Sequence, residues 1–166
     1  MTTKTIVTAI LMLYLAPEIN AQSGKTIQPL IAAYSDLNNA LFDSDAKRAK
    51  AAAAVIEQAL KELNRDSLNS KDAKQITKLE KSVIEIQKTT DIEIQRNYFM
   101  TTSESFCQFL KSNSGNSENL YYTFCPMANN GKGAYWISET EKIRNPYYGL
   151  KMASCGSVKE TLSPVN

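Results

Sequence analysis

The sequence predicts a mainly α protein: an antiparallel bundle of three or four helices with a small C-terminal lobe that contains a short β-hairpin. The first observation is a helical repeat of apolar residues that begins at Ile27 and continues to about Ser112. The second is that this repeat stops at the loop-forming run 112–117, after which seven aromatic residues fall within 120–148. A chain of 166 residues, 43% of them hydrophobic, is long enough for one packed domain.

The helical segments follow one another along the chain with short polar links. The apolar spacing predicts helices from Ile27 to Phe42, from Ala46 to Leu63 and from Lys71 to about Ser112. Thr89-Thr90 either divides the last segment into two helices or lies within one continuous helix. Asp43-Ser44-Asp45 offers a turn and an N-cap, because short oxygen side chains accept hydrogen bonds from the first N–H groups of a helix. Such short links place consecutive helices antiparallel.

The lobe after the helices has a different local pattern. Tyr121 to Phe124 and Ala134 to Ile137 are predicted as two strands around the turn sequence Asn129-Asn130-Gly131-Lys132. Asn145-Pro146 and Gly149 predict a further turn, which brings the segment around residue 152 back onto the first strand. We therefore divide the chain into a helical bundle over 22–113 and a lobe over 114–166 packed on it.

Residues 1–21 have the pattern of a secretory signal peptide. Lys4 provides a positive start, Thr5 to Ala16 form a mostly apolar stretch of 12 residues, and Pro17 breaks it. Ala21 is the predicted cleavage position. We expect a periplasmic or secreted protein that has no membrane insertion once the signal is removed, in a compartment where disulfides persist.

Composition excludes several classes of function. The chain contains no histidine, which removes imidazole-based zinc sites, Ser-His-Asp and Cys-His nucleophile pairs and the commonest general base. A cysteine nucleophile therefore has no histidine base, and we expect the protein not to be an enzyme. The net charge of +2 arises from 19 basic and 17 acidic residues, which is too balanced to indicate nucleic acid as a partner.

Sulfur side chains are concentrated in the lobe and are the candidate metal ligands. An extended segment would place Cys125 and Met127 on one side of the chain, and a helical turn would align Met152 with Cys155. Two thiolates and two thioethers form a soft donor set that favours Cu(I) or Ag(I). Trp136 is a candidate cap, because its π face can shield a bound cation.

Each of these residues also has a structural interpretation. Cys125 and Cys155 could form a disulfide that closes a loop of about 30 residues, worth ~3–4 kcal/mol in the chain-entropy model. The two methionines could fill gaps in the packing, and Trp136 could be a core aromatic residue. Cys107 on the last helix fits a small buried hydrophobic residue better than a fifth ligand.

The lobe resembles a bacterial family of exported domains of unknown function, which also occurs as a C-terminal extension of periplasmic adaptor subunits in heavy-metal efflux systems. The resemblance rests on four short motifs in the family's order: Cys-Pro-Met at 125–127, Gly-Ala-Tyr-Trp at 133–136, Asn-Pro-Tyr at 145–147 and Met-x-x-Cys-Gly at 152–156. The helices resemble the family less, chiefly at Gln95-Arg96 and Phe99. The resemblance implies an envelope role in copper or silver handling, with an efflux adaptor as a partner and the two cysteines and two methionines as ligands.

Overall fold

The computed structural model describes residues 27–113 and 115–164. It contains four α-helices and three β-strands within these ranges. The helices are α1 (Gln28–Phe42), α2 (Ala46–Lys61), α3 (Ser70–Gln87) and α4 (Ile92–Ser112). The strands are β1 (Leu120–Cys125), β2 (Ala134–Ser138) and β3 (Ser157–Leu162), with short 3-10 helices at Arg65–Ser67 and Gly149–Met152. The predicted signal peptide, residues 1–21, lies outside the described residues.

The four helices form the body of the molecule, as the apolar repeat predicts. Links of three, eight and four residues join them, and each helix packs on the next in chain order. Tyr34 of α1 connects the first helix to the last, because its ring packs against Phe99 and Phe106 of α4 with centroids 5.5 and 4.8 Å apart. Among the described residues, no helix is both long enough and apolar enough to cross a membrane.

Polar side chains define where three of the helices begin. The carboxylate of Asp45 accepts a hydrogen bond from the backbone N–H of Arg48 at 2.9 Å, which confirms the predicted N-cap of α2. Asn69 and Asp91 cap α3 and α4 in the same way. The Asp91 cap resolves the question left open at Thr89-Thr90: α3 ends at Gln87, and α4 is a separate helix.

The lobe contains a three-stranded antiparallel sheet, so the prediction of a hairpin alone was wrong. β1 and β2 form the predicted hairpin, with Asn129, Asn130 and Gly131 in left-handed conformations in the turn. β3 pairs with the other side of β1, which gives the order β2-β1-β3. β3 is an edge strand whose side chains are mostly exposed, so it lacks the apolar alternation by which a half-buried strand is recognised in sequence.

One hydrophobic core extends through the helices and the sheet. Trp136, Ile137 and Tyr147 belong to the same buried cluster as the apolar faces of the helices. Arg96 of α4, only 5% exposed, reinforces this contact by donating to the backbone oxygens of Pro146 at 2.9 Å and Leu41 at 2.8 Å. The loop around residue 146 is thereby fastened to the corner between α1 and α2.

Candidate metal centre

The two cysteines of the lobe lie at the same end of the sheet. Cys125 is the last residue of β1, pairs with Ala134 and is fully buried. β3 begins at Ser157, which pairs with Phe124, so the residues just before β3 run beside those just after Phe124. Cys155 lies in that segment and is half-buried. The antiparallel pairing of β1 with β3 therefore brings the two thiols together.

The thiol of Cys155 interacts directly with that of Cys125. Burial raises the pKa of the Cys155 thiol above its usual value, and the neighbouring Cys125 thiol raises this pKa further. A backbone hydrogen bond from Met127 lowers the same pKa and partly opposes the other two effects. Both cysteines are free thiols in this structure. A raised pKa keeps Cys155 protonated near neutral pH, so a metal ion that binds there must displace a proton.

Met127 lies beside the cysteines, but in a different conformation from the predicted one. The chain turns immediately after Cys125, so the extended segment expected to align Met127 with Cys125 is not present. Proline cannot continue a strand with a backbone hydrogen bond from its nitrogen, and the turn starts at Pro126. The Met127 side chain is 54% exposed, while its carbonyl accepts a hydrogen bond from the hydroxyl of Tyr148 at 2.6 Å. The backbone of Met127 therefore contacts Cys155, while the residue itself is largely exposed to solvent.

Met152 is connected to Cys155 through a tight turn, close to the predicted arrangement. It is the last residue of the 3-10 helix Gly149–Met152 and is half-buried. Its carbonyl accepts a hydrogen bond from the backbone N–H of Cys155 at 3.1 Å. The backbones of the two residues are thus joined within one turn.

Trp136 packs in the core against the backbone that follows Cys155. It is fully buried and meets Tyr147 edge to face, with ring centroids 6.0 Å apart. A Cβ atom on Gly156 would lie 2.8 Å from the Cη2 atom of Trp136, so the backbone next to Cys155 rests directly on the indole ring. The Nε1 atom of Trp136 has no hydrogen-bond partner among the described residues. Trp136 is therefore a core residue that also adjoins the candidate site.

Asn145 has a larger part in this region than its sequence indicates. The Asn-Pro pair predicts only a turn, yet the side chain is fully buried. Its Nδ2 atom donates to the carbonyl of Cys155 at 2.8 Å, and its Oδ1 atom accepts from the backbone N–H of Tyr147 at 2.8 Å. Its backbone N–H donates to the carbonyl of Ala153 at 3.1 Å. The sequence signal was a polar residue directly before Pro-Tyr-Tyr, but the acceptor of its side-chain amide, Cys155, lies 10 residues away.

The remaining cysteine lies in the core. Cys107 is fully buried on α4, and burial raises its pKa well above the usual value. This confirms the prediction of a small buried hydrophobic residue. Among the residues that the structure describes, no group of three or more His, Cys, Asp or Glu side chains could hold a metal ion. A metal at the Cys125–Cys155 pair would therefore draw any further side-chain sulfur from methionine.

Comparison with known proteins gives one family match. A family model described as a protein of unknown function (DUF3347) matches residues 30–118, which is more than half of the chain. The matched region contains nearly all of the helical body and ends before β1, so the sulfur-containing motifs of the lobe lie outside it. No curated protein and no solved structure matches the chain.

Proposed function

Because this chain belongs to the DUF3347 family, whose description assigns no function, we propose a function from its own residues: it binds Cu(I) or Ag(I) through cysteine and methionine sulfur. The observation that supports this proposal is the pairing of β1 with β3, which brings the Cys125 and Cys155 thiols close to each other. One thiol is fully buried and the other half-buried, so an ion could enter at Cys155 and also reach a protected ligand.

The donor chemistry selects the class of metal ion. Thiolates and thioethers are soft ligands and favour Cu(I) and Ag(I) over Mg²⁺ or Ca²⁺, which prefer oxygen. Met152 and Met127 each make a backbone hydrogen bond with Cys155 and are the proposed thioether ligands. Since the sequence has no histidine, no imidazole can take part in the site. The proposal contains no catalytic step.

The proposed biological setting is the cell envelope. The pattern of residues 1–21 supports export, and the resemblance of the lobe supports a link to heavy-metal efflux. In this setting the protein would buffer the ion or carry it to a periplasmic adaptor subunit. The near-neutral balance of charges fits a protein partner or a small ion rather than nucleic acid.

The thiol interaction also favours a second candidate function. A disulfide between Cys125 and Cys155 would fasten the turn before β3 to the end of β1. Such a link would stabilise the lobe by ~3–4 kcal/mol in the chain-entropy model. The protein would then be a non-catalytic envelope interaction module that needs no metal.

A competition titration distinguishes the two functions. The purified protein is fully reduced without oxygen and titrated with Cu(I) against a chelator of known affinity. We expect sub-nanomolar binding of one ion per chain, which Cys155→Ser abolishes and Met152→Leu and Met127→Leu weaken. Met100→Leu is the matched control, because Met100 lies on α4 and its thioether is not among the proposed ligands.

Two results would count against parts of this proposal. A reduced protein that never competes with the chelator, together with an intact disulfide in protein isolated from the envelope, which mass spectrometry detects, would exclude metal binding and favour the disulfide-linked module. An affinity that falls equally in Met100→Leu and Met152→Leu would exclude Met152 as a ligand, because a general effect on folding would then explain the loss.

A further inference from the structure

The backbone at Cys155 is held on both sides by hydrogen bonds. Its N–H donates to the carbonyl of Met152, and its carbonyl accepts from the Nδ2 atom of Asn145 at 2.8 Å. The next residues are Gly156, which rests on Trp136, and Ser157, which opens β3. Among the described residues, the Asn145 amide is thus the side-chain donor that holds the backbone carbonyl of Cys155, two residues before β3.

Asn145 is itself held firmly, so it can serve as a reference point. Its Oδ1 atom accepts from the N–H of Tyr147, its N–H donates to Ala153, and its carbonyl accepts from the N–H of Gly149 at 3.0 Å. The next residue, Pro146, is bound by the buried guanidinium of Arg96. A chain of contacts therefore runs from α4 through Asn145 to Cys155. Cys125 is fixed independently by its place at the end of β1.

We propose that Asn145 is a positioning residue, whose side-chain amide sets the distance between the Cys155 and Cys125 thiols. The amide acts on the backbone of Cys155 and leaves the sulfur itself free to react. Two properties depend on that distance: the affinity for a soft metal ion and the equilibrium between the dithiol and a disulfide. The first rests on the proposed function, whereas the second follows from the thiol pair alone.

The dithiol equilibrium is measured against oxidised glutathione. The thiolate of Cys155 attacks one glutathione sulfur and releases one reduced glutathione, and the Cys125 thiolate then displaces the second. The two protein thiols lose two protons and two electrons, and one glutathione disulfide becomes two glutathione molecules. The equilibrium constant of this reaction reports how well the two thiols are held together.

Asn145→Asp is the test variant, because it keeps an acceptor for Tyr147 and replaces the donor to Cys155 by a carboxylate oxygen. Asn145→Ser separates the loss of this donor from the effect of the added negative charge. Asn116→Asp is the matched control. Asn116 is also buried, and its Nδ2 atom donates to the carbonyl of Leu162 at 2.9 Å, at the opposite end of β3. The same substitution therefore removes a similar donor near each end of β3, but only the donor of Asn145 lies beside a thiol.

We expect Asn145→Asp to lower the disulfide equilibrium constant about tenfold, which corresponds to a reduction potential about 30 mV less negative. The Cu(I) affinity of the reduced variant should fall by about the same factor, while Asn116→Asp changes both values less than about twofold. Asn145→Ser, which keeps a shorter donor, serves as a second variant if the aspartate prevents folding, and its equilibrium constant should also fall.

The outcomes separate this inference from the proposed function. An unchanged glutathione equilibrium in both Asn145 variants, or an equal change in Asn116→Asp, would overturn the positioning role. If the natural protein does not bind Cu(I) but the Asn145 variants still shift the equilibrium, the positioning role stands and the metal function fails. Metal binding with no such shift leaves the metal function in place and removes the role of Asn145.

Discussion

Gly156 joins the candidate site to the core, and its replacement by alanine gives a sharp test of the packing there. The residue has a φ of +140° and follows Cys155 directly. A Cβ atom at this position would lie 2.8 Å from the Cη2 atom of Trp136 and 3.1 Å from the carbonyl oxygen of Phe124. Neither neighbour can yield easily, because one is a fully buried indole and the other is the backbone of β1.

Two physical effects contribute to the cost of Gly156→Ala. A side chain in this region of backbone conformation costs about 1–3 kcal/mol. Forcing an extra methyl group against a packed ring costs about 1–3 kcal/mol more. We therefore expect the free energy of unfolding to fall by about 2–6 kcal/mol, compared with about 5–15 kcal/mol of total stability for a typical domain.

Gly131→Ala is the control that isolates the packing contribution. Gly131 also has a positive φ, +81°, but nothing lies within 4 Å of its would-be Cβ atom. We expect this variant to lose only the backbone contribution, about 1–2 kcal/mol. Urea unfolding at equilibrium measures both variants, with far-ultraviolet circular dichroism following the helices and the single tryptophan, Trp136, reporting on the lobe. If the two variants agree within about 0.5 kcal/mol, the close contact with Trp136 contributes nothing and the reasoning fails.

Two further predictions concern the thiol and the contact between lobe and helices. The raised pKa of Cys155 means that metal binding displaces a proton at neutral pH, so the apparent Cu(I) affinity should rise by about tenfold per pH unit for that proton. Chelator competition between about pH 6 and about pH 8 measures this slope, and a flat profile contradicts it. Arg96→Lys should lower the free energy of unfolding by about 2–4 kcal/mol, because an ammonium group cannot reach the carbonyls of Pro146 and Leu41 together. Urea unfolding measures this loss, and a change below about 0.5 kcal/mol would show that the two bonds are not needed.

The helical body was predictable because its information is local. Each helix buries one face, so the apolar spacing is visible within a single segment of chain. The Asp45 cap was also predictable, since a capping side chain acts on N–H groups only two or three residues away. Whether the segment after Lys71 is one helix or two was left open, because the apolar repeat continues through residues 83–92. The Asp91 cap ends that continuity and determines where α4 starts.

The lobe was predictable only in part, because its contacts join distant segments. The hairpin of β1 and β2 has a connection of eight residues with a recognisable turn sequence, whereas β3 returns from beyond residue 150 and shows few apolar residues. The expected alignment of Met127 with Cys125 failed because Pro126 begins a turn at the point where an extended chain was assumed. Residue type identified the sulfur atoms, but the local backbone decided where Met127 lies.

By itself, the sequence determined the helical architecture and the types of side chain that a transition-metal site could use as ligands. With no histidine in the chain and most of its sulfur beyond residue 100, a transition-metal site would have to depend on cysteine and methionine. Only the tertiary structure decided that the Cys125 and Cys155 thiols lie together, that Cys107 is buried on α4, and that Asn145 holds the backbone of Cys155. The physical reason is that these contacts come from the pairing of an exposed edge strand and from one buried amide, and neither produces a periodic signal along the chain.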